Sequence, residues 1–239
     1  MIEVRNLKKA FGNMEVLRGI DIDLKRGENV AILGESGTGK SVFIKCIAGL
    51  ITPDSGKINV LGKNLTELEK EELNNLRLKI GYLFQGGALY DSMTVRQNLE
   101  FPVRRTKITK NKSEMDDMVK EALKSVGLLD AIDKMPAELS GGMKKRIGLA
   151  RTLILQPEII LYDEPTTGLD PVTSGEISEL ILRIQDKYNT SSIIVTHDIK
   201  CAKITANRLK LILDGKFFTE GTFDELKESE DNYIKAYFN

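Results

Sequence analysis

The segment GESGTGKS, residues Gly34 to Ser41, decides how the rest of the sequence is interpreted. It fits the phosphate-binding pattern Gly-x4-Gly-Lys-Ser, and it follows the apolar run Val30 to Leu33, where a buried strand should end and a helix begin. Glycines let the backbone wrap tightly, so that amide N–H groups and the helix N-terminus face a phosphate. Lys40 adds positive charge for the β- and γ-phosphates, and the Ser41 hydroxyl is suited to Mg²⁺. We expect phosphate contacts from Gly34, Glu35, Ser36, Gly37, Thr38, Gly39, Lys40 and Ser41.

The bulk properties of the chain narrow the classes of protein to which it can belong. Its 239 residues fit one large domain, or a core domain with a lobe attached. Lys and Arg number 35 and Asp and Glu number 35, so the chain has no overall charge with which to attract nucleic acid. No stretch comes near the roughly 18 consecutive apolar residues of a membrane span. Nucleic acid is therefore not expected as a partner, and any membrane-spanning part is expected to be another chain.

The pattern of apolar residues changes along the chain. Residues 19–24 alternate in polarity, which is typical of an antiparallel strand with one exposed face. From about residue 65 to residue 137, charged stretches with apolar residues three or four positions apart indicate helices. After residue 140, helix and strand patterns alternate, which favours a mainly parallel sheet.

We therefore predict one α/β domain over residues 1–239. Its phosphate-loop NTPase core has a mainly parallel sheet and an N-terminal antiparallel β portion, and it comprises residues 1–84 and 140–225. A helical lobe, about residues 85–139, is inserted into that core, and residues 226–239 form a C-terminal tail. Apolar residues of the tail recur at helical spacing, so the tail could dock either on its own domain or on a partner subunit.

Two adjacent carboxylates, Asp163 and Glu164, follow the apolar run of EIILYDE at residues 158–164. An aspartate at the end of a strand beside a phosphate loop is placed to hold Mg²⁺, usually through water. Glu164, the next residue, points in another direction and can orient and polarise an attacking water. On its own such a pair is more often a solvated turn, and it is the preceding phosphate loop that favours the catalytic interpretation.

A third motif, LSGGMKKR at residues 139–146, predicts a second helix N-terminus. Ser140 is a suitable N-cap, and the start of a helix is a favourable position for an anion. Taken alone, the motif indicates only a helix cap. Leu-Ser-Gly-Gly about twenty residues before an Asp-Glu pair, however, resembles the signature of ABC ATPases, and the resemblance covers essentially the whole chain.

The resemblance implies roles for residues that spacing alone does not single out. Phe11 resembles the aromatic residue on which adenine stacks, although it could equally be a core residue. Gln85 resembles the glutamine that contacts Mg²⁺ and relays the nucleotide state to a membrane partner. Asp170, in TTGLD, resembles the aspartate that shapes the site across a dimer, and His197, in IIVTHD, resembles the histidine that contacts the γ-phosphate. The implied cofactors are ATP and Mg²⁺, and the implied catalytic residues are Lys40, Gln85, Glu164 and His197.

The resemblance also implies an assembly. Two chains would pack head to tail as a homodimer, and residues 34–41 of one chain and Ser140, Gly141 and Gly142 of the other would enclose each ATP. Integral membrane permease subunits, as separate chains, are the implied partners. This chain would then be a peripheral subunit on the cytoplasmic face of the inner membrane.

The segment LFQGGALYDSMTVRQNLEFPVR, residues 83–104, narrows the resemblance. Together with Met143 at the fifth signature position, where glutamine is usual, it resembles the ATPases of Mce-associated lipid transporters such as the Mla system. This implies phospholipid as the cargo and an Mce-domain lipid-binding protein as a further partner. Two alternatives stay open: a cell-division ABC ATPase, which regulates rather than transports, and an ABC importer ATPase for another solute.

Overall fold

The structure is a computed structural model that describes residues 1–109 and 111–238. Within these ranges, no helix has the length and apolar character needed to cross a membrane. The strands are β1 (Ile2–Phe11), β2 (Met14–Leu24), β3 (Asn29–Leu33), β4 (Ser55–Val60), β5 (Lys63–Asn64), β6 (Ile80–Leu83), β7 (Ile159–Asp163), β8 (Ser191–Thr196), β9 (Arg208–Leu213) and β10 (Lys216–Gly221). The helices are α1 (Lys40–Ile47), α2 (Lys70–Arg77), α3 (Val95–Thr106), α4 (Lys112–Ser125), α5 (Gly141–Leu153), α6 (Pro171–Tyr188), α7 (Ile199–Thr205), α8 (Phe223–Lys227) and α9 (Asn232–Phe238).

The larger sheet lies at the centre of the fold, with the strand order β10-β9-β3-β8-β7-β6. Strands β9, β3, β8, β7 and β6 run parallel, and β10 joins one edge antiparallel. Every residue of β3, β7 and β8 is buried, as expected for parallel strands covered on both faces. The mainly parallel sheet is confirmed. Because parallel strands end at the same edge, the residues that follow β3, β7 and β8 meet there.

Apolar residues of the central strands alternate between two cores, one on each face of the sheet. In β3, Val30 and Ile32 belong to one core, and Ala31 and Leu33 belong to the other. The first core also contains the apolar residues of β1, β2 and α1, whereas the second contains those of α3 to α6. Helix α1, after the phosphate loop, and helix α5, after the LSGG motif, therefore pack on opposite faces.

A smaller antiparallel sheet, in the order β2-β1-β4-β5, covers the first core. In β2, Ile20, Ile22 and Leu24 are buried while Asp21 and Asp23 are exposed. The predicted strand with one exposed face is thus confirmed, and so is the N-terminal antiparallel β portion.

The segment between β6 and β7 is helical. The helical pattern predicted for residues 65–137, however, is interrupted by strand β6, which pairs with β7 in the larger sheet. Four residues are too few for a strand pattern to stand out between charged stretches, and the pairing with β7 makes this segment a strand. Beyond β6, the fully buried Asn98 of α3 holds the preceding loop, because its amide bonds to backbone groups of Tyr90, Met93 and Thr94.

The C-terminal tail packs on its own chain. Ile234 of α9 is 5% exposed and belongs to the same core as α5 and α6. The rings of Tyr233 and Phe218 lie edge to face, with centroids 5.7 Å apart. Of the two arrangements left open by the sequence, the structure shows docking on the tail's own domain, and contact with a partner stays a prediction. Asn239, the last residue of the tail, lies outside the described residues.

Candidate active site

The loop between β3 and α1 has the tight shape that its glycines predict. Gly37 and Gly39 have φ angles of 86° and 96°, in the left-handed region that favours glycine. A Cβ atom on Gly39 would also lie 2.9 Å from Cγ1 of Val16, so this loop is pressed against β2. Helix α1 begins at Lys40, directly after this turn, and its first amides therefore face the loop.

Lys40 is buried between the loop and the end of β7. Its Nζ donates to the carbonyl oxygens of Gly34, at 2.7 Å, and Glu35, at 2.9 Å. The same atom lies 3.6 Å from Oε1 of Glu164. Burial lowers the pKa of the Lys40 ammonium, and the carboxylate of Glu164 opposes that shift. A cation is thus fixed where the phosphate motif and the Asp-Glu motif meet.

Asp163, the last residue of β7, links the phosphate loop to β6. Its Oδ1 accepts a hydrogen bond from the Ser41 hydroxyl at 2.6 Å, and its Oδ2 accepts one from the Tyr82 hydroxyl at 2.8 Å. Burial raises the pKa of Tyr82, and the neighbouring Asp163 raises it further, so the phenol stays a neutral donor. Tyr82 was not predicted from the sequence, because only the pairing of β6 with β7 brings it to Asp163.

Glu164 follows β7 in an unusual backbone conformation, with φ of 50° and 8% exposure. A non-glycine residue in the left-handed region costs about 1 kcal/mol and persists where its surroundings hold it. Its N–H donates to the carbonyl of Val195 at 2.9 Å. Its Oε2 accepts from the Thr167 hydroxyl at 2.9 Å and lies 2.9 Å from Nδ1 of His197. These contacts hold the carboxylate beside Lys40.

A cleft of about 430 Å³ brings most of the predicted site residues together. Phe11, at the end of β1, is 50% exposed, so it forms a wall of this cleft and is not a core residue. Val16, Val42 and Thr167 also line the cleft and were not predicted, because the two valines carry no motif signal and the TTGLD motif singled out only Asp170. The predicted residues that line it are Phe11, Ser36, Gly37, Gly39, Lys40, Ser41, Gln85, Glu164 and His197.

The LSGG motif lies outside this cleft. In the part of the chain that the structure describes, neither Ser140 to Gly142 nor Asp170 is among the lining residues. Ser140 caps α5, since its Oγ accepts from the N–H of Met143 at 3.2 Å, and Asp170 caps α6, since its Oδ1 accepts from the N–H of Thr173 at 3.0 Å. A Cβ atom on Gly142 would lie 2.6 Å from Cγ2 of Thr173, so these two helix starts pack together. The chain thus has one helix N-terminus suited to phosphate inside the cleft and another outside it.

The oxygen donors near Asp163 fit Mg²⁺. Ser41 offers a hydroxyl and Asp163 a carboxylate, and Gln85, which lines the same cleft, offers an amide oxygen. In phosphate-transfer sites Mg²⁺ is held by one or two carboxylates together with substrate phosphates. The donor set therefore suits an ion that binds together with a nucleotide.

Comparison with known proteins agrees with this geometry. The family model described as ABC transporter matches residues 17–167, more than half of the chain. The chain belongs to the ABC transporter family of ATPases. This ATPase is 40% identical, over its full length, to the probable ribonucleotide transport ATP-binding protein mkl of Mycobacterium leprae, and it spans 68% of that protein. It is 38% identical, over 97% of its length, to the intermembrane phospholipid transport system ATP-binding protein MlaF of Haemophilus influenzae, and it spans 87% of that protein.

A solved structure shows the same fold. The ATP-binding cassette MJ0796, in a dimeric post-hydrolysis state bound to ADP and Pi, superposes with a TM-score of 0.85 and 30% identity. The match covers 93% of this chain and 99% of MJ0796. The predicted ABC ATPase fold is confirmed, and with it the prediction that the protein is an ATPase.

Proposed function

We propose that this ATPase hydrolyses ATP in the cleft beside Lys40 and drives a lipid transporter. The observation that carries the catalytic part is the direct contact between the two motifs, Ser41 with Asp163 at 2.6 Å and Lys40 with Glu164 at 3.6 Å. The phosphates of ATP would lie on the amides of residues 34–41. The adenine would stack on the exposed ring of Phe11.

In the proposed reaction the oxygen of a water attacks the γ-phosphorus, the bond from that phosphorus to the β–γ bridging oxygen breaks, and ADP and inorganic phosphate leave, with the proton of the water passing to the phosphate products. Glu164 accepts a hydrogen bond from this water and orients it, so positioning supplies most of the rate. Lys40 stabilises the charge on the phosphate oxygens, and His197 contacts the γ-phosphate beside Glu164. When bound, Mg²⁺ adds positive charge at the β- and γ-phosphates. Its proposed ligands are Ser41, Gln85 and Asp163.

Each site would be completed by a second copy of the chain. Ser140 and Gly141 are exposed, and they stand at a helix N-terminus, where amides attract phosphate. Because they lie outside their own chain's cleft, they are free to meet the ATP held by another chain. Asp170, which caps the adjacent helix α6, would shape the same junction. The dimeric state of the similar MJ0796 cassette supports this arrangement.

A second groove, of about 490 Å³, is suited to a membrane subunit. Its lining includes Phe84, Tyr90 and Phe101, whose side chains are exposed although they are aromatic. The ring centroids of Tyr90 and Phe101 are 4.9 Å apart, and the guanidinium of Arg151 lies 5.9 Å from the Tyr90 centroid. Exposed apolar patches with a polar rim mark interaction sites. We assign the groove to a cytoplasmic segment of an integral membrane permease, which Gln85, next to Phe84, would connect to the nucleotide.

Phospholipid is the cargo that we propose for the assembled transporter. This chain covers 87% of the length of MlaF, the relative named for phospholipid transport. It covers 68% of the length of mkl, the relative named for ribonucleotide transport. Residues 83–104, which resemble lipid-transport ATPases, supply three of the four aromatic rings that line the groove. An Mce-domain lipid-binding protein would complete the complex, with this chain as a peripheral subunit on the cytoplasmic face of the inner membrane.

The test is purification of the tagged chain from detergent-solubilised membranes of its source cells. We expect a permease to co-purify with the wild type and with Leu50→Ala, a control that removes an exposed apolar side chain that is not among the lining residues of the groove. Recovery of the permease should fall at least ten-fold with Tyr90→Ala/Phe101→Ala. The wild-type complex should transfer labelled phospholipid between vesicles only with ATP. Two results would contradict the lipid proposal. One is ATPase activity that is stimulated by a ribonucleotide other than ATP and not by phospholipid, and the other is co-purification of cell-division proteins without a permease.

A further inference from the structure

Lys145 is a buried cation that the roles above leave without an explanation. It lies in α5, in the turn after the cap Ser140, and it is 5% exposed. Its Nζ donates to the carbonyl oxygen of Glu164 at 3.0 Å and to the carbonyl oxygen of Gln85. One side chain thus connects the helix that begins at the LSGG motif with the backbone of two proposed catalytic residues.

The contact with Gln85 is one of several by which α5 holds the loop at residues 85–88. A Cβ atom on Gly148 would lie 2.9 Å from the carbonyl oxygen of Gly87, so the absence of a side chain lets the helix approach the loop backbone. One turn further along, Arg151 donates to the carbonyl oxygen of Gly87 at 3.1 Å. The helix and this loop are therefore expected to move together.

The contact with Glu164 supports a strained turn. Glu164 has φ of 50°, and its N–H is held by the carbonyl of Val195. Its carbonyl oxygen is held from the other side by Lys145, and a hydrogen bond from a cation is stronger than one from a neutral donor. With both peptide groups fixed, the direction of the Cα–Cβ bond of Glu164 is fixed as well, and from there the contacts with Thr167 and Lys40 hold the carboxylate.

We propose that Lys145 is a positioning residue for ATP hydrolysis, which ties the direction of the Glu164 carboxylate to the position of α5 through its hydrogen bonds to the Gln85 and Glu164 carbonyls. Lys145 acts in this way only if Gln85 and Glu164 have the catalytic roles proposed above. Helix α5 begins at Ser140, which would contact the ATP bound by the partner chain. Closure of the dimer around that ATP would then move α5 and, through Lys145, orient the Glu164 carboxylate at the ATP site of its own chain. Among the described residues Lys145 does not line the cleft, so ATP affinity should not depend on it.

The experiment compares Lys145→Met with Lys145→Gln in the full-length chain, assembled with its membrane partners where the isolated chain turns over too slowly. Met and Gln are similar in size, but only the Gln amide can donate two hydrogen bonds. We expect Lys145→Met to lower kcat at least ten-fold while the Kd for ATP stays within two-fold of wild type. Lys145→Gln should keep kcat within about three-fold. The matched control is Lys144→Met, since no hydrogen-bond or ion-pair partner of the Lys144 side chain is found in the described ranges.

Several results would overturn the role of Lys145. They are a kcat for Lys145→Met within two-fold of wild type, equal losses in the Met and Gln variants, or an equal loss in Lys144→Met. If Lys145→Met does not fold, Lys145→Gln decides, because a kcat below a tenth of wild type there would show that charge and not hydrogen-bond donation matters. Glu164→Gln in the same assay distinguishes a failure of the proposed catalytic roles from a failure of the positioning role of Lys145. If that variant turns over ATP normally, the proposed catalytic roles fail, whereas an inactive Glu164→Gln with an unaffected Lys145→Met rejects only the role of Lys145.

Discussion

Single residues of the site are positioned by partners that lie far away in the sequence. Ser41 and Asp163 are 122 positions apart, yet their oxygen atoms are 2.6 Å apart. Tyr82, 81 positions from Asp163, holds the other carboxylate oxygen. These contacts exist because β3, β8, β7 and β6 stand in that order in the sheet. The geometry of the proposed catalytic groups is therefore a property of strand order as much as of the motifs.

Replacing the single residue Lys40 tests the proposed role of the phosphate loop. Lys40→Ala removes a buried cation from the loop, so we expect kcat/KM for ATP to fall at least about 100-fold, equivalent to about 3 kcal/mol. Steady-state ATPase assays and an ATP-binding isotherm measure the effect. Lys45→Ala is the control, because Lys45 lies on the same helix α1 but does not line the cleft in the described part of the chain. A Lys40→Ala binding isotherm and turnover equal to wild type would exclude the proposed role.

Motif residues could be predicted from the sequence because each motif encodes its own local backbone. The glycines of residues 34–41 and the carboxylates after β7 are of this kind. Tyr82 and Thr167 could not be predicted, since their roles depend on which strands and loops become neighbours. Lys145 did leave a signal, because a lysine there falls between Gly142 and Leu149 on a helix face that is otherwise buried. A lysine on such a face needs partners, and the structure shows which they are.

Among the elements, helix α9 offers the most direct test of local packing. Ile234→Ala removes part of a buried side chain, so we expect the free energy of unfolding to fall by about 2 kcal/mol. Urea denaturation measures this, and Lys235→Ala, an exposed residue of the same helix, is the control. An unchanged midpoint for Ile234→Ala would mean that α9 does not dock on its own domain in solution.

Deleting residues 232–239 tests separately whether the tail contacts a partner subunit. Unchanged ATPase activity and an unchanged dimer population in the complex would exclude that contact.

The elements themselves were predicted with unequal success. Strand β3 and the alternating strand β2 were predictable, because their polarity patterns match their burial. Strand β6 was hidden inside a helical pattern, since its short sequence becomes a strand only by pairing with β7. The tail was ambiguous for a similar reason. An apolar stripe predicts that a helix is covered, and it does not indicate by what.

For the whole molecule, the arrangement of α1 and α5 on opposite faces of the sheet is the decisive feature. It separates the two helix starts that we propose bind phosphate, and residues 140–142 accordingly are not among the residues that line the cleft of their own chain. The fold class followed from the motifs and the alternation of elements, and the similarity to MJ0796 confirms it. The dimer did not follow from the sequence pattern, because an interface between two copies leaves no periodic signal in one chain.

The most direct measurement of the central claim is the behaviour of Glu164→Gln with MgATP. Gln keeps the size of the side chain but loses the negative charge that orients water, so we expect ATP turnover to fall at least about 100-fold while ATP stays bound. Unhydrolysed ATP should then hold two copies together, and light scattering after gel filtration should show a dimer with ATP but not with ADP. Near-normal turnover, or a chain that binds ATP and stays monomeric, would contradict the account.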